Sequence, residues 1–398
     1  MKKGIVLRTN KRCQRSILTL NGKLVLFRYD LRPKTKDDYQ KLLEQEGITV
    51  VVPLDYYLGL TKLPFKMTVD LMLEVAYWAQ NQCSYQATED AISKVLGFAI
   101  NDDTIRSVTN EIGAVIFNND CKAAEEAYKK MTTGKMAFPK SPKDGVLYIE
   151  ADGAALNTRQ KDNYGSTWRE NKLGIVFSSD NIRYWKDKHG DMQHKIIKRE
   201  YISYVGGVAE FQKHMLACAV RNGYGTYKQT VIISDGATWI RSMKEELFPD
   251  AQQILDFYHL CENVNTFAKH IFKMDESKYK PWAEKICHNL KKSKHEEVLN
   301  ELESLADVNG KCPINLHKYI VNNINNIDYV AYQEKGYFIG SGAIESGNKI
   351  ILQHRLKQAG MRWNTQTAQY LLTLKSKVES KLWQKDVVSP VKRYYGFI

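Results

Sequence analysis

The chain has 398 residues, 43% hydrophobic and 26% charged, a balance that supports a sizeable core in two or three domains and excludes a disordered chain. Lys and Arg number 58 against 45 Asp and Glu, a net charge of +13, which points to a polyanionic partner without separating nucleic acid from an anionic membrane surface. No stretch approaches the roughly 18 apolar residues of a membrane span, the apolar start Ile5-Val6-Leu7 is too short for a signal peptide, and the scattered cysteines without a Cys-x-x-Cys pair fit reduced thiols in the cytoplasm.

Residues 1–66 read as a small first unit, in which Asn21-Gly22 between two apolar runs predicts a β-hairpin over 16–29. Residues 67–133 read as helical. Ser84 suits the cap of one helix, Gly97 its end, and Asn101 or Asp102 the cap of the next. Helix, glycine turn, helix is the outline of a helix-turn-helix, which would make Arg106 a DNA contact; an ordinary helical hairpin fits the same pattern. Pro139 and Pro142 mark 134–144 as a linker.

From 145 to 260 the texture changes. Strands are expected at 146–151, 168–177, 196–204, 230–234 and 253–256, with helices at 209–222 and 239–247. Asp152 follows the first strand and Asp235 the fourth, so both sit at the carboxyl edge of an α/β sheet, where ligands bind. Carboxylates brought together there repel unless cations neutralise them, and oxygen donors without thiolates select Mg²⁺ or Mn²⁺. Two such ions would serve phosphoryl transfer. Asp-Gly after a strand also reads as plain turn chemistry. Asp256 ends the last strand and is a rival ligand. His259 reads as its hydrogen-bonding neighbour, a phosphate contact or a structural histidine, since a zinc site would need further ligands at metal spacing.

Residues 261–335 read as a charged helical insertion. In 336–398, Glu345 starts a helix after a glycine-rich turn and offers the third carboxylate, with Asn348 and Lys349 on the same helix. Arg355, Lys357 and Arg362, with Trp363 as a stacking ring, suit a basic groove. From Glu345 onward there are ten Lys or Arg and three acids, just over half of the net charge.

These words together are familiar. Ser234-Asp235-Gly236-Ala237-Thr238-Trp239-Ile240, Phe248-Pro249, Ile254-Leu255-Asp256-Phe257-Tyr258-His259, Tyr329-Val330-Ala331-Tyr332, Ile339 to Ser346 and Arg355 to Trp363 resemble bacterial insertion-sequence transposases of the DDE type, in the ISKra-type group and distantly the Mutator-like enzymes. The resemblance implies a ribonuclease H-like core with a helical insertion, preceded by a helical N-terminal region, and a catalytic, metal-binding triad of Asp152, Asp235 and Glu345. Asp256, His259, Asn348 and Lys349 would be auxiliary. It implies Mg²⁺- or Mn²⁺-dependent cleavage at element ends and strand transfer into target DNA, by a homo-oligomer on double-stranded DNA in the bacterial nucleoid. The other readings are a metal-dependent nuclease without strand transfer, an inactive DNA-binding relative, and an RNA-binding protein using the basic tail.

Overall fold

The computed structural model describes residues 5–305 and 312–397. The first four residues, part of the signal-peptide reading, and 306–311, inside the expected charged helical insertion, lie outside the described residues. Residues 1–118 with 381–398 form one compact unit, and 119–380 form another.

The first unit opens on two antiparallel strands, β1 (Leu7–Thr19) and β2 (Gly22–Pro33). The hairpin is longer than the apolar runs predict, and its turn sits one residue early, on Leu20 and Asn21, with Gly22 at φ +106° opening β2. The Thr19 hydroxyl accepts from the Asn21 N–H and donates to the Gly22 carbonyl, which fixes this turn. The N-terminal region is therefore a β-hairpin that leads into helices, which corrects the wholly helical region that the resemblance implies. Those helices are α1 (Lys36–Glu46), α2 (Pro53–Tyr57), α3 (Val69–Asn81), α4 (Tyr85–Leu96) and α5 (Asp102–Thr132). Ser84 caps α4 and Gly97 ends it in the left-handed region, while Asn101 accepts from the Thr104 N–H at the start of α5, as those residue types favour.

The second unit is built on a five-stranded mixed sheet. Its strands in chain order are β3 (Lys143–Asn157), β4 (Trp168–Ser178), β7 (Glu200–Val205), β8 (Tyr227–Ser234) and β9 (Gln252–Leu255), and the spatial order is β7-β4-β3-β8-β9. The first three pair antiparallel, while β8 and β9 run parallel to β3. A separate ribbon, β5 (Ile182–Lys186) with β6 (Met192–Ile196), splits what reads as one strand at 196–204. Its side chains are exposed apart from the half-buried Ile182 and Ile196 at its base, so no hydrophobic alternation announces it.

Side chains alternate across the sheet with period 2. Tyr148, Ile175, Phe177, Val231 and Ile233 enter a core under α8 (Phe257–Ile271), α9 (Glu276–Lys291), α10 (His295–Glu303), α11 (Leu316–Asn322) and α12 (Tyr329–Glu334). Leu147, Ile149, Val176 and Ile232 face the other way, onto α6 (Val208–Arg221) and α7 (Thr238–Leu247). A continuous helix from α13 (Gly342–Gly347) through a π-helical segment, Asn348–Gln353, to Leu356 lies over β3 and β4, and α14 (Thr365–Glu379) covers β7. Gly347 allows that approach, because a Cβ there would stand 2.7 Å from the buried Tyr201 ring. Residues 383–395, ending in α15 (Ser389–Tyr395), pack on the first unit, where Trp383 meets the Tyr77 ring edge-on and the Tyr395 hydroxyl donates to Glu111. Among the described residues no helix is long and apolar enough to cross a membrane.

Candidate functional site

The parallel pairing of β3 with β8 sets Glu150 against Ile233, so continuing that register brings Asp235 beside Asp152 just past the end of β8. Burial raises the Asp152 carboxyl; the Gly153 N–H opposes this, Asp235 adds to it, His259 opposes it and Glu345 adds to it. The expected residues thus lie near enough to feel one another. Asp152 and Asp235, however, carry other hydrogen bonds, and Glu345 faces outward. Asp152 accepts from its neighbour Gly153 N–H at 2.7 Å and from the Asn348 amide at 2.6 Å. Asp235 accepts from the Ala237 N–H at 2.9 Å, the local turn that Asp favours after a strand. Glu345 lies on the exposed side of α13.

Asp256 is fully internal. It caps α8 through the Tyr258 and His259 N–H groups, accepts the Ser341 N–H at 3.2 Å, and takes a short hydrogen bond from the Ser341 hydroxyl. It ties the glycine-rich turn before α13 to the end of β9. His259 stands 3.6 Å from Glu262, one turn along its own helix. Asn348 is buried on Asp152, and Lys349 is exposed.

Among the described residues no group of three or more His, Cys, Asp or Glu side chains could hold a metal ion. The expectation of a Mg²⁺ or Mn²⁺ pair on Asp152, Asp235 and Glu345 is corrected accordingly. With it fall the DDE-type catalytic centre, the transposase activity of cleavage and strand transfer, and the metal-dependent nuclease. A further carboxyl lies beneath these residues. Glu150, whose carboxylate accepts the Ile344 N–H at 2.8 Å, is pushed up to about 8 by burial, which outweighs that hydrogen bond, with Asp256 and Glu345 adding to the rise. A proton can neutralise this buried carboxyl, which lies outside the expected triad.

The basic groove is also redrawn. Arg355 has 0% exposure and its guanidinium lies 5.2 Å from the Trp363 ring centre. It shares a helix face with Ile351 and Leu352, both buried, and turns inward with them. Trp363 donates its indole N–H to the Leu356 carbonyl. Arg355 is therefore internal, and Trp363 is half-buried. Lys375 and Lys377 are buried too, paired with Glu379 and Asp120, so part of the tail's charge is structural. Arg106 remains exposed, paired with Asp103 at 2.7 Å.

What survives is a cleft of about 470 Å³ at the far ends of β3 and β4, lined by Asn157, Trp168, Lys357, Met361 and Arg362. Its ring is Trp168, 54% exposed, where β4 begins opposite Asn157. Sequence reading placed the ring on Trp363, because Trp168 opens a strand and reads as part of it. The cleft wall is stitched by the main chain: Trp363 N–H donates to Asn157, and Arg159 N–H to Trp363. The Arg159 side chain donates to the Arg362 carbonyl at 3.3 Å. Lys357 and Arg362 are exposed beside the ring.

Residues 69–386 match an uncharacterised protein family, UPF0236. No curated protein matches the chain.

Proposed function

The chain belongs to the uncharacterised protein family UPF0236, and we propose that it is a DNA-binding protein, an inactive relative of the DDE-type transposases. The sheet order, with three antiparallel strands followed by two parallel ones, supports a ribonuclease H-like scaffold. The observation that carries the binding reading is the exposed Trp168 ring set in a cleft with Lys357 and Arg362. Two exposed cations grip the backbone phosphates of a duplex without base specificity, and the ring between them adds an apolar surface for the sugars.

The test is fluorescence anisotropy of a labelled 30-base-pair duplex in EDTA buffer across a salt series, 30 being our choice of probe. Lys357→Gln with Arg362→Gln should weaken binding and reduce the slope of log K against log salt by about 1.8, two phosphate contacts at about 0.9 each. Unchanged affinity and slope in the double variant, or no binding by the wild type at low salt, would remove the proposal. Cleavage or joining of element-end DNA in Mg²⁺ that disappears in Asp152→Ala would overturn the inactive reading.

A further inference from the structure

The hairpin of the first unit carries a second concentration of charge. Between Leu7 and Pro33 there are seven Lys or Arg and a single acid. That acid, Asp30, is buried; it accepts the Asn10 amide and the Lys11 N–H at 2.7 Å, which closes the irregularity between Thr9 and Lys11. It therefore offers little opposition at the surface.

The two faces of the ribbon differ. On one, Ile17 is buried, and Arg15 and Arg28 both pair with the buried Asp55, so this face is committed to the first unit. On the other, the register sets Arg12 opposite Tyr29, Gln14 opposite Phe27, Ser16 opposite Val25 and Leu18 opposite Lys23. Phe27 is 53% and Tyr29 56% exposed, and the Arg12 guanidinium lies 4.7 Å from the Phe27 ring centre. No acid stands on this face, whose own cations are Arg12 and Lys23; Arg8, Lys11 and Arg32 are exposed as well, but the register sets Lys11 opposite Asp30 and Arg8 opposite Arg32, on the other face.

Large rings left in water are costly unless something covers them. The rings of Phe27 and Tyr29, two residues apart on one strand, are spaced about 7 Å along it, a separation suited to successive bases of an extended strand. The surrounding charge is complementary to a phosphate backbone. A paired duplex hides its base faces, whereas an unpaired strand presents them to rings. We propose that this face of the hairpin binds single-stranded nucleic acid, with bases stacked on Phe27 and Tyr29 and phosphates held by Arg12 and Lys23. This surface is separate in sequence from the Trp168 cleft, and the inference does not depend on that reading.

The experiment measures anisotropy of labelled oligo-dT and oligo-rU with the full chain, alongside the duplex probe and anionic phosphatidylserine vesicles. Phe27→Ala with Tyr29→Ala should lower affinity for the single-stranded probes at least tenfold and leave duplex binding within about twofold. Phe27→Trp with Tyr29→Trp, which keeps rings and charge, should retain affinity, separating stacking from simple loss of fold. The Lys357→Gln, Arg362→Gln variant should show the reverse pattern, losing duplex and keeping single strands. Preference for dT or rU distinguishes the DNA and RNA sources of the same chemistry. Absence of single-strand binding, insensitivity to the double alanine variant, or loss confined to vesicle binding would each overturn the proposal.

Discussion

Glu150→Gln should stabilise the sheet-bearing unit, and by an amount that grows with pH. Glu150 is 1% exposed and its carboxyl is pushed up to about 8, burial being the main cause, from an ordinary value of 4.5. Below about pH 4.5 the side chain is protonated in both folded and unfolded chains, so ionisation contributes nothing. Between 4.5 and 8 the unfolded chain releases this proton while the folded chain keeps it, so stability falls as pH rises. At about 1.36 kcal/mol per pH unit the loss is about 1 kcal/mol at pH 5, about 3 at pH 7 and about 5 at pH 9. Glutamine retains a carbonyl oxygen for the Ile344 N–H, which Glu150 accepts at 2.8 Å, and it cannot ionise. Urea denaturation followed by far-ultraviolet circular dichroism at pH 5, 7 and 9 gives both curves. The gap between variant and wild type should widen by about 4 kcal/mol across that range. Parallel curves would refute the reasoning, because a solvated or cation-neutralised Glu150 has no such window.

Asp256→Ala should cost about 2–4 kcal/mol, since it strips the α8 cap and leaves the Ser341 donors without their acceptor; thermal melts compare it with Asp256→Asn, which keeps one acceptor and should lose less. Gly347→Ala should destabilise by about 1–3 kcal/mol, as its methyl group meets the Tyr201 ring, and Tyr201→Leu in the same background should recover part of the loss. Because no qualifying ligand cluster exists among the described residues, millimolar Mg²⁺ or Mn²⁺ should leave the melting temperature unchanged; a rise that Asp152→Asn abolishes would point to a bound ion. On the acid side, Glu200 is buried, which opposes ionisation, yet Arg221 at 2.5 Å carries its carboxyl below the usual range. Its contribution is present above the unfolded value and should be lost as pH falls through the lowered one, a loss that Glu200→Gln should erase.

The sheet was legible in the sequence because its strands are short apolar runs ending in turn residues. Thr230–Ser234 and Gln253–Leu255 lie inside β8 and β9, and Ser84 and Asn101 cap the helices their side chains suit. The ribbon of β5 and β6 was not legible, since Tyr184, Trp185 and Met192 are exposed and leave no alternation. The candidate site was readable as residues and misread as chemistry. Proximity of Asp152, Asp235 and Glu345 follows from strand register, but where a carboxylate spends its lone pairs depends on partners such as Asn348, 196 positions away. Arg355 shows the same difficulty. Charge alone marks it as a surface cation, while its place on a helix face with Ile351 and Leu352 decides that it is internal. Trp168 and Trp363 trade roles for a similar reason, one opening a strand edge into water and the other packed under a guanidinium.

The stitching of residues 157–160 to 362–365 also bears on how the protein is made. Gln160 receives the Thr365 N–H and hydroxyl across 205 positions, so the wall of the cleft cannot close until nearly the whole second unit has been synthesised. Closing so long a loop is entropically slow. Chains stopped before Lys357 could still pair β3 with β4 and β8, yet would carry Trp168 on an open sheet end with no opposing cation. The recognition surface is thus a late product of folding, and shortened chains should bind nucleic acid through it poorly even where the sheet has formed.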